Sequence, residues 1–500
     1  MTRASLAGLL DRAELLWPSR TAAVDGDLAL DYRTLAVRVR GLARGLWDAG
    51  VRTGDRVAAL CDNHAAFLEL HFAVARLGAI LVPINTRLSR HEVEHILDFA
   101  SPSLVFADAE HAHLCGARAA SIDSIRREGT APVVATGVEH PAQIYFTSGT
   151  TGTPKGVVLT HGNVHAHAMA TIAELGLGET DVWAHVAPMF HLADAWATFA
   201  ITAVGGRHVF LRRFAPGPCL DLFERERVTV TNLVPTMLNR LVHEGGAASR
   251  DYSTFRLLLS GGAPIAPHTV RRIRETFRCR YVQTYGMTET SPYLTFSIPL
   301  ARHHDLDDDA RLALSARTGR PVLGVELRVV DTKGAPVPRD DCSVGEIQVR
   351  GPTVTPGYWN APEATAAAFT ADGFLCTGDL AAQDADGSVR IVDRIKDVIK
   401  TGGESVFSTE VEFRLHEHPA VLEAAVFGVP DDDLGERVTA AVALKPGHSA
   451  SETELIAFCR SVLAGFQTPK SIRFVDALPR TGSGKISKRM LRDASPLTGR

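Results

Sequence analysis

Phe146-Thr147-Ser148-Gly149-Thr150-Thr151-Gly152-Thr153-Pro154-Lys155-Gly156 is the stretch that decides how the chain is read. Three glycines and four threonines are interleaved with Ser148, so backbone N–H groups and hydroxyls can curl around phosphate oxygens while Lys155 adds positive charge. The apolar run Gln143 to Phe146 in front of it predicts a strand, and ligand loops spring from the carboxyl ends of such strands. The loop is not the GxxxxGK[ST] pattern, because Pro154 stands where that pattern needs Gly.

Only eight of the 53 lysines and arginines are lysines, and four of the eight lie in three glycine- and hydroxyl-rich segments. Lys155 belongs to the first. Lys396 and Lys400 lie in Asp393-Arg394-Ile395-Lys396-Asp397-Val398-Ile399-Lys400-Thr401-Gly402-Gly403-Glu404, and Lys485 ends Pro479-Arg480-Thr481-Gly482-Ser483-Gly484-Lys485. A compact ammonium on a flexible stem follows a moving phosphate, whereas a rigid guanidinium suits a fixed bidentate partner. These four lysines are therefore the candidates for chemistry.

Five hundred residues at 45% hydrophobic and 22% charged describe a globular protein of roughly two to four domains. A net charge of −4 provides no basic field for nucleic acid. Seven cysteines, odd in number and with no CxxC pair, read as inert thiols of a reducing compartment. The apolar stretches 72–84 and 190–204 are interrupted by Arg76 and Asp194, short of the roughly 18 to 20 residues a membrane helix needs. A cytoplasmic protein without a membrane span or a nucleic-acid partner is the expectation.

Up to about residue 390, amphipathic helices alternate with short apolar strands. Residues 64–77 predict a helix and 79–83 a strand; 256–260 predicts a strand, 267–277 a helix and 281–285 a strand again. Such alternation predicts largely parallel sheets flanked by helices. After Asp393 the pattern becomes a small α+β domain: helices near 409–416 and 453–463, strands at 421–429, 439–444 and 471–475, and a capping box at Ser451 and Glu454. Asp305 to Asp309 reads as a solvated acidic loop. His161, His165 and His167 follow the phosphate loop on a helix with no Cys or carboxylate to complete a metal set.

The loop 147–156, together with Tyr285-Gly286-Met287-Thr288-Glu289, Thr377-Gly378-Asp379, the 393–404 segment and the 480–485 segment, resembles the adenylate-forming superfamily. That family includes acyl-CoA and aryl-CoA synthetases, adenylation domains of peptide synthetases and beetle luciferases. Five motifs occur in the family's order between about residues 20 and 492, and the acyl- or aryl-CoA ligase branch is the one they resemble. The resemblance implies an α/β fold: a large N-terminal domain, 1–392, of parallel and mixed sheets with helices and a small β-barrel-like subdomain. A hinge at 393–397 with Asp393 and Lys396, and a small mobile α+β domain, 398–500, would follow.

By position, Thr147, Ser148, Gly149, Thr150, Thr151, Gly152, Thr153 and Lys155 would hold the β- and γ-phosphates of ATP. Tyr285 would stack on adenine beside Gly261, Gly262 and Ala263, with Gly286 and Met287 adjoining. Thr288 would contact the α-phosphate, Glu289 would hold Mg²⁺, and Asp379 and Arg394 would grip the ribose. Lys485 would reach the carboxylate and the α-phosphate together; with Thr288, Glu289 and a gate-like His191 it completes the candidate catalytic set. Elementary chemistry asks for the same parts. A carboxylate attacking the α-phosphorus brings anion against anion, so metal and ammonium charge must stand between them in a water-poor site.

The thiol acceptor implied is coenzyme A, whose tunnel would be lined by Lys400, Gly402, Gly403 and Glu404, the small residues of this segment leaving room for a thin chain. A separate carrier protein as acceptor and a homodimeric state stay open. The acid would lie among His191, Ala193, Ala195, Trp196, Val234, Pro235, Gly261, Met287, Pro292 and Tyr293, which implies a hydrophobic monocarboxylic acid, whether fatty, aryl, or polycyclic or terpenoid. Gln283 and Thr284 stand where related malonate ligases place Arg, against a diacid. Asp194, also in this set, would either face a polar group of the substrate or cap a helix.

Overall fold

Residues 267–277 form the helix Pro267–Phe277, and its buried Val270, Ile273 and Phe277 fall on the one face that the 3.6-residue period predicts. This is a computed structural model of the protein, and it describes residues 5–116, 119–132, 134–147, 154–263, 265, 267–480 and 486–494. The chain divides into two compact units, one holding the residues up to Leu327 with Val349–Leu375, the other Arg328–Gln348 with Cys376–Arg500. The strands of residues 328–348 therefore belong with the C-terminal part of the chain.

The first unit contains two mixed sheets. One runs, in spatial order, 357–358, 155–160, 141–147, 80–83, 56–60, 104–107 and 119–120, and is parallel from 141–147 to its far edge. The strands 141–147 and 155–160 form an antiparallel hairpin, to which 357–358 adds antiparallel. The other sheet has nine strands, parallel through 280–286, 257–260, 230–232, 182–185 and 207–210, with antiparallel strands at both ends. The helix His161–Leu175 leaves the first hairpin through a capping box of Thr160 and Asn163 and stops at Gly176 in the left-handed region.

The second unit carries a four-stranded sheet ordered 326–330, 344–350, 375–383 and 389–394, then a five-stranded sheet of 404–406, 399–401, 435–444 and 421–431 with 471–474 parallel beside 435–444. The helices Ser408–His416 and Glu452–Arg460 complete it, and the Ser451/Glu454 capping box is formed. The strands expected at 421–429 and 439–444 extend to Val421–Asp431 and Gly435–Leu444, because they pair as one long hairpin. All seven cysteines are free and five are buried. No helix among the described residues is long and apolar enough to cross a membrane.

Candidate active site

Thr147 and Lys155 are paired in register at the open end of the 141–147/155–160 hairpin, so the two strand ends that flank the segment 148–154 face each other. Ser148, Gly149, Thr150, Thr151, Gly152 and Thr153 lie outside the described residues. Lys155 Nζ stands 4.9 Å from the centroid of the Tyr358 ring, and the Tyr358 hydroxyl donates to Glu289 Oε1 at 3.0 Å. Glu289 is only 7% exposed and sits in the short helix Thr288–Thr290. One aromatic side chain thus touches both the loop lysine and the carboxylate that the sequence motifs single out.

Tyr358 does not figure in the sequence reading; the quartet Gly357-Tyr358-Trp359-Asn360 is the signal that could have found it. The segment 352–359 that carries it is bound to both neighbours. Asn163 Nδ2 donates to the carbonyls of Pro352 and Val354 at 2.8 and 2.9 Å. Ser291 Oγ donates to Thr353 O at 2.7 Å, Thr355 N to Glu289 O at 2.8 Å, and Trp359 N to Gly156 O at 2.7 Å.

The loop at 260–263 is tied to the 280–286 strand by the two polar residues ahead of Tyr285. Thr284 Oγ1 donates to Ser260 O at 3.0 Å and Gln283 Nε2 to Ala263 O at 3.0 Å. Gly261 is buried, whereas Gly262, Ala263, Tyr285, Gly286, Met287 and Thr288 keep access to solvent. Gly286 is glycine because of its own hairpin: a Cβ there would lie 1.9 Å from Pro292 O. Close approach of the chain to itself, not of a ligand, accounts for that residue. Thr290 Oγ1 staples the turn, donating to Met287 O and Pro292 O at 2.9 and 2.6 Å.

Among the expected acyl residues, His191, Ala193, Val234, Pro235 and Met287 are partly accessible, while Asp194, Ala195, Trp196, Pro292 and Tyr293 are buried. The Ala193 carbonyl accepts from Asn232 Nδ2 at 2.9 Å, Trp196 Nε1 at 3.1 Å and the Tyr293 hydroxyl at 3.2 Å. The Trp196 ring meets Trp183, His167 and Tyr293 edge-on, at centroid distances of 5.0 to 5.5 Å. Asp194 does not cap a helix. Its Oδ2 lies 2.5 Å from His185 Nδ1, and the chain continues from His185 Nε2 to His208 Nδ1 and from His208 Nε2 to Thr202 Oγ1, both at 3.0 Å. All four side chains are wholly buried. Burial opposes charge on each partner, pushing the Asp194 carboxyl well up and His185 down to about 3. Burial thus works against an ionised pair at this contact.

His161 and His167 have separate structural tasks. His161 Nδ1 accepts from Leu6 N at 3.5 Å, and His167 Nε2 accepts from Tyr293 N at 3.2 Å. Elsewhere in this unit Cys61, Asp62, His64, Asp108, Glu110 and His111 cluster. Their carboxylates are already paired with His64, His111, Arg212 and Arg213.

In the second unit Asp379 and Arg394 are register partners on adjacent antiparallel strands. Asp393 is buried; its Oδ2 accepts from the Ser408 backbone N–H and, at 2.7 Å, from Ser408 Oγ, which satisfies the start of the helix Ser408–His416. Lys396 lies in the short helix Ile395–Asp397, where burial and the neighbouring Arg394 lower its pKa. Gly402 and Gly403 are the two residues of the hairpin loop between 399–401 and 404–406, with φ of 57° and 85°. Positive φ at both positions is what a tight hairpin of right-twisted strands demands. Lys400 Nζ donates to Ser405 Oγ at 2.6 Å, and Glu404 is exposed. Arg480 and Ile486 form a β-bridge, and Lys485 between them lies outside the described residues.

The sequence matches the AMP-binding enzyme family over residues 10–359 and the AMP-binding enzyme C-terminal domain over residues 410–485. It is similar to a feruloyl-CoA synthase of an Amycolatopsis species, 39% identical over 481 residues that cover 94% of this chain and 95% of the relative. It is also similar to a long-chain-fatty-acid–CoA ligase of Thermus thermophilus, 37% identical over 92% of this chain and 89% of the relative. Among solved structures, ATP-bound MatB from Rhodopseudomonas palustris superimposes with a TM-score of 0.88 at 32% identity, covering 99% of both chains. The chain belongs to the AMP-binding enzyme family, the adenylate-forming superfamily, on its acyl- and aryl-CoA ligase branch.

Proposed function

We propose that the protein is an ATP-dependent carboxylic acid:CoA ligase that works in two half-reactions. In the first, a carboxylate oxygen attacks the α-phosphorus of ATP; the bond to the β-phosphate oxygen breaks, pyrophosphate leaves and an acyl-AMP remains. In the second, the CoA thiol, having lost its proton, attacks the acyl carbon, and AMP leaves. The observation that carries this reading is the convergence of Lys155 and the buried Glu289 on Tyr358, a phosphate-loop cation and a carboxylate brought together from 134 positions apart in sequence.

Lys155, with Thr147 and the loop 148–153, holds the β- and γ-phosphates, and Tyr285 stacks on adenine beside the 261–263 loop. Thr288 meets the α-phosphate. Glu289 is the residue that would hold Mg²⁺: a carboxylate oxygen is the hard donor this ion prefers, and Tyr358 already orients the group. When bound, Mg²⁺ supplies charge that neutralises the phosphates. Asp379 and Arg394 bind the ribose, and Lys485 places its ammonium at the reacting oxygens during adenylation only. Asp393 and Lys396 form the hinge, and the 400–404 hairpin lines the path of the thiol.

The acid is a hydrophobic monocarboxylate. The buried, edge-packed Trp196 and Tyr293 and the acids named for the aryl and fatty relatives support that class. Purified protein given ATP, Mg²⁺, CoA and a panel of aliphatic, aryl and polycyclic acids tests the reading. Acid-dependent release of pyrophosphate with matching acyl-CoA is expected. Pyrophosphate without acyl-CoA points to a carrier protein as acceptor, and no acid-dependent release across the panel overturns the proposal.

A further inference from the structure

We infer that Tyr358 is a positioning residue that keeps Lys155 and Glu289 apart and oriented before ATP and its metal arrive; the inference rests on the roles proposed above for those two residues. An ammonium and a carboxylate assigned to one nucleotide face a common hazard. Left to themselves they would form an ion pair, and each would then have to be pulled from the other before it could meet phosphate or metal. Among the described residues no carboxylate pairs with Lys155; its partner is the face of Tyr358, 4.9 Å from Nζ. A ring face attracts the ammonium without neutralising it and leaves its three N–H donors for phosphate oxygens.

The other end of the same side chain serves Glu289. The Tyr358 hydroxyl donates to Oε1 at 3.0 Å. A phenol keeps its proton at neutral pH while a carboxylate has lost its own, so the hydroxyl donates and Glu289 accepts. An outer hydrogen bond of this kind orients a metal-binding carboxylate, and its loss typically costs about 10- to 100-fold in metal affinity or activity.

The backbone places Tyr358 for both contacts. Tyr358 pairs with Val157, two residues beyond Lys155 on the same strand, and Trp359 N donates to Gly156 O. Thr355 N donates to the Glu289 carbonyl, Thr355 Oγ1 to Val158 O at 2.5 Å, and Tyr358 N to Thr365 Oγ1 at 3.0 Å. The segment 352–359 therefore joins the strand that carries Lys155 to the turn that carries Glu289, with Tyr358 at the point where both side chains meet.

The test compares Tyr358→Phe with Tyr358→Leu. Phe keeps the ring and loses the hydroxyl; Leu loses both. ATP binding is followed by calorimetry, first in EDTA and then over a MgCl₂ series, beside acid-dependent pyrophosphate exchange. Tyr358→Phe is expected to raise the Mg²⁺ concentration at half-effect by about 10-fold or more, by the usual cost of an outer-shell partner, while metal-free ATP binding stays within about twofold. Tyr358→Leu is expected to weaken metal-free binding as well, by about two- to fivefold, the worth of one cation–π contact.

Unchanged Mg²⁺ dependence in Tyr358→Phe overturns the inference. So does a Phe variant that loses metal-free binding as much as Mg²⁺ dependence, since that is general damage to the site. Removal of one oxygen leaves the ring packing in place, and thermal melting of both apo variants verifies the fold. If wild-type protein binds MgATP but releases no pyrophosphate with any acid, the ligase reading fails while the calorimetric comparison still judges Tyr358.

Discussion

Arg394 Nε lies 3.2 Å from Asp379 Oδ1, across two strands on which the residues are register partners. Asp379 is 11% exposed in its side chain and Arg394 49%, so an acceptor and a donor stand side by side on the last two strands of the four-stranded sheet. Two adjacent ribose hydroxyls need that combination. Asp379→Ala is expected to weaken AMP and ATP binding by about 10- to 100-fold, the worth of a hydrogen bond to a charged group, with little loss of stability because the ion pair is half-exposed. Calorimetric titration with AMP checks it; unchanged AMP affinity removes Asp379 from the nucleotide site.

Burial disfavours charge on both Asp194 and His185, and that yields a sharper prediction. Asp194→Asn retains a donor for His185 Nδ1 and is expected to melt close to wild type. Asp194→Ala strands a buried imidazole nitrogen and is expected to cost about 1–3 kcal/mol. Denaturation of the two variants distinguishes them, and equal damage would show that the pair is ionised.

Three other buried histidines fix the acid response of the first unit. His71, His161 and His167 accept hydrogen bonds from Gln143 Nε2, Leu6 N and Tyr293 N, and burial lowers their pKa values to about 3, 4 and 3. Folded values lie below the unfolded value near 6.5, so between those limits the unfolded chain binds more protons and stability is lost as pH falls. Each contributes about 1.4 kcal/mol per pH unit below 6.5. The melting temperature is expected to drop steadily from pH 7 to pH 5; a flat profile contradicts the neutral assignments.

Gly403 tests the thiol path. Asn tolerates its positive φ, whereas Phe adds bulk in a place where a Cβ would meet nothing within 4 Å. Gly403→Phe is expected to slow thioester formation from supplied acyl-AMP more than it slows adenylation, with Gly403→Asn in between. Parallel losses in both half-reactions would place the hairpin outside the CoA route.

Local chemistry was legible in the sequence, and long-range contact was not. The helix 267–277, the strand before the phosphate loop and the Ser451/Glu454 box all follow from period and capping within a few residues. Tyr358 escaped notice because its partners, Lys155 and Glu289, are 203 and 69 positions away and meet it only through the edge strand at 357–358. Asp194 looked like a pocket or capping residue because nothing local announces His185, which comes from a neighbouring strand. Gly286 adjoins Tyr285 in the motif, but nothing local announces that the Pro292 carbonyl of its own hairpin fills the space a Cβ would need. Asp393 marked a linker in sequence, and in the fold its carboxylate also holds the first turn of the helix Ser408–His416.

The proposed division of labour gives the two half-reactions different residues, with Lys485 serving adenylation alone. The direct measurement is Lys485→Ala assayed twice, by acid-dependent pyrophosphate exchange and by thioester formation from supplied acyl-AMP and CoA. Exchange is expected to fall by about 10² to 10³, as when one preorganised donor to a transition state is removed, while thioester formation largely survives. Equal loss of both, or retention of both, contradicts the account.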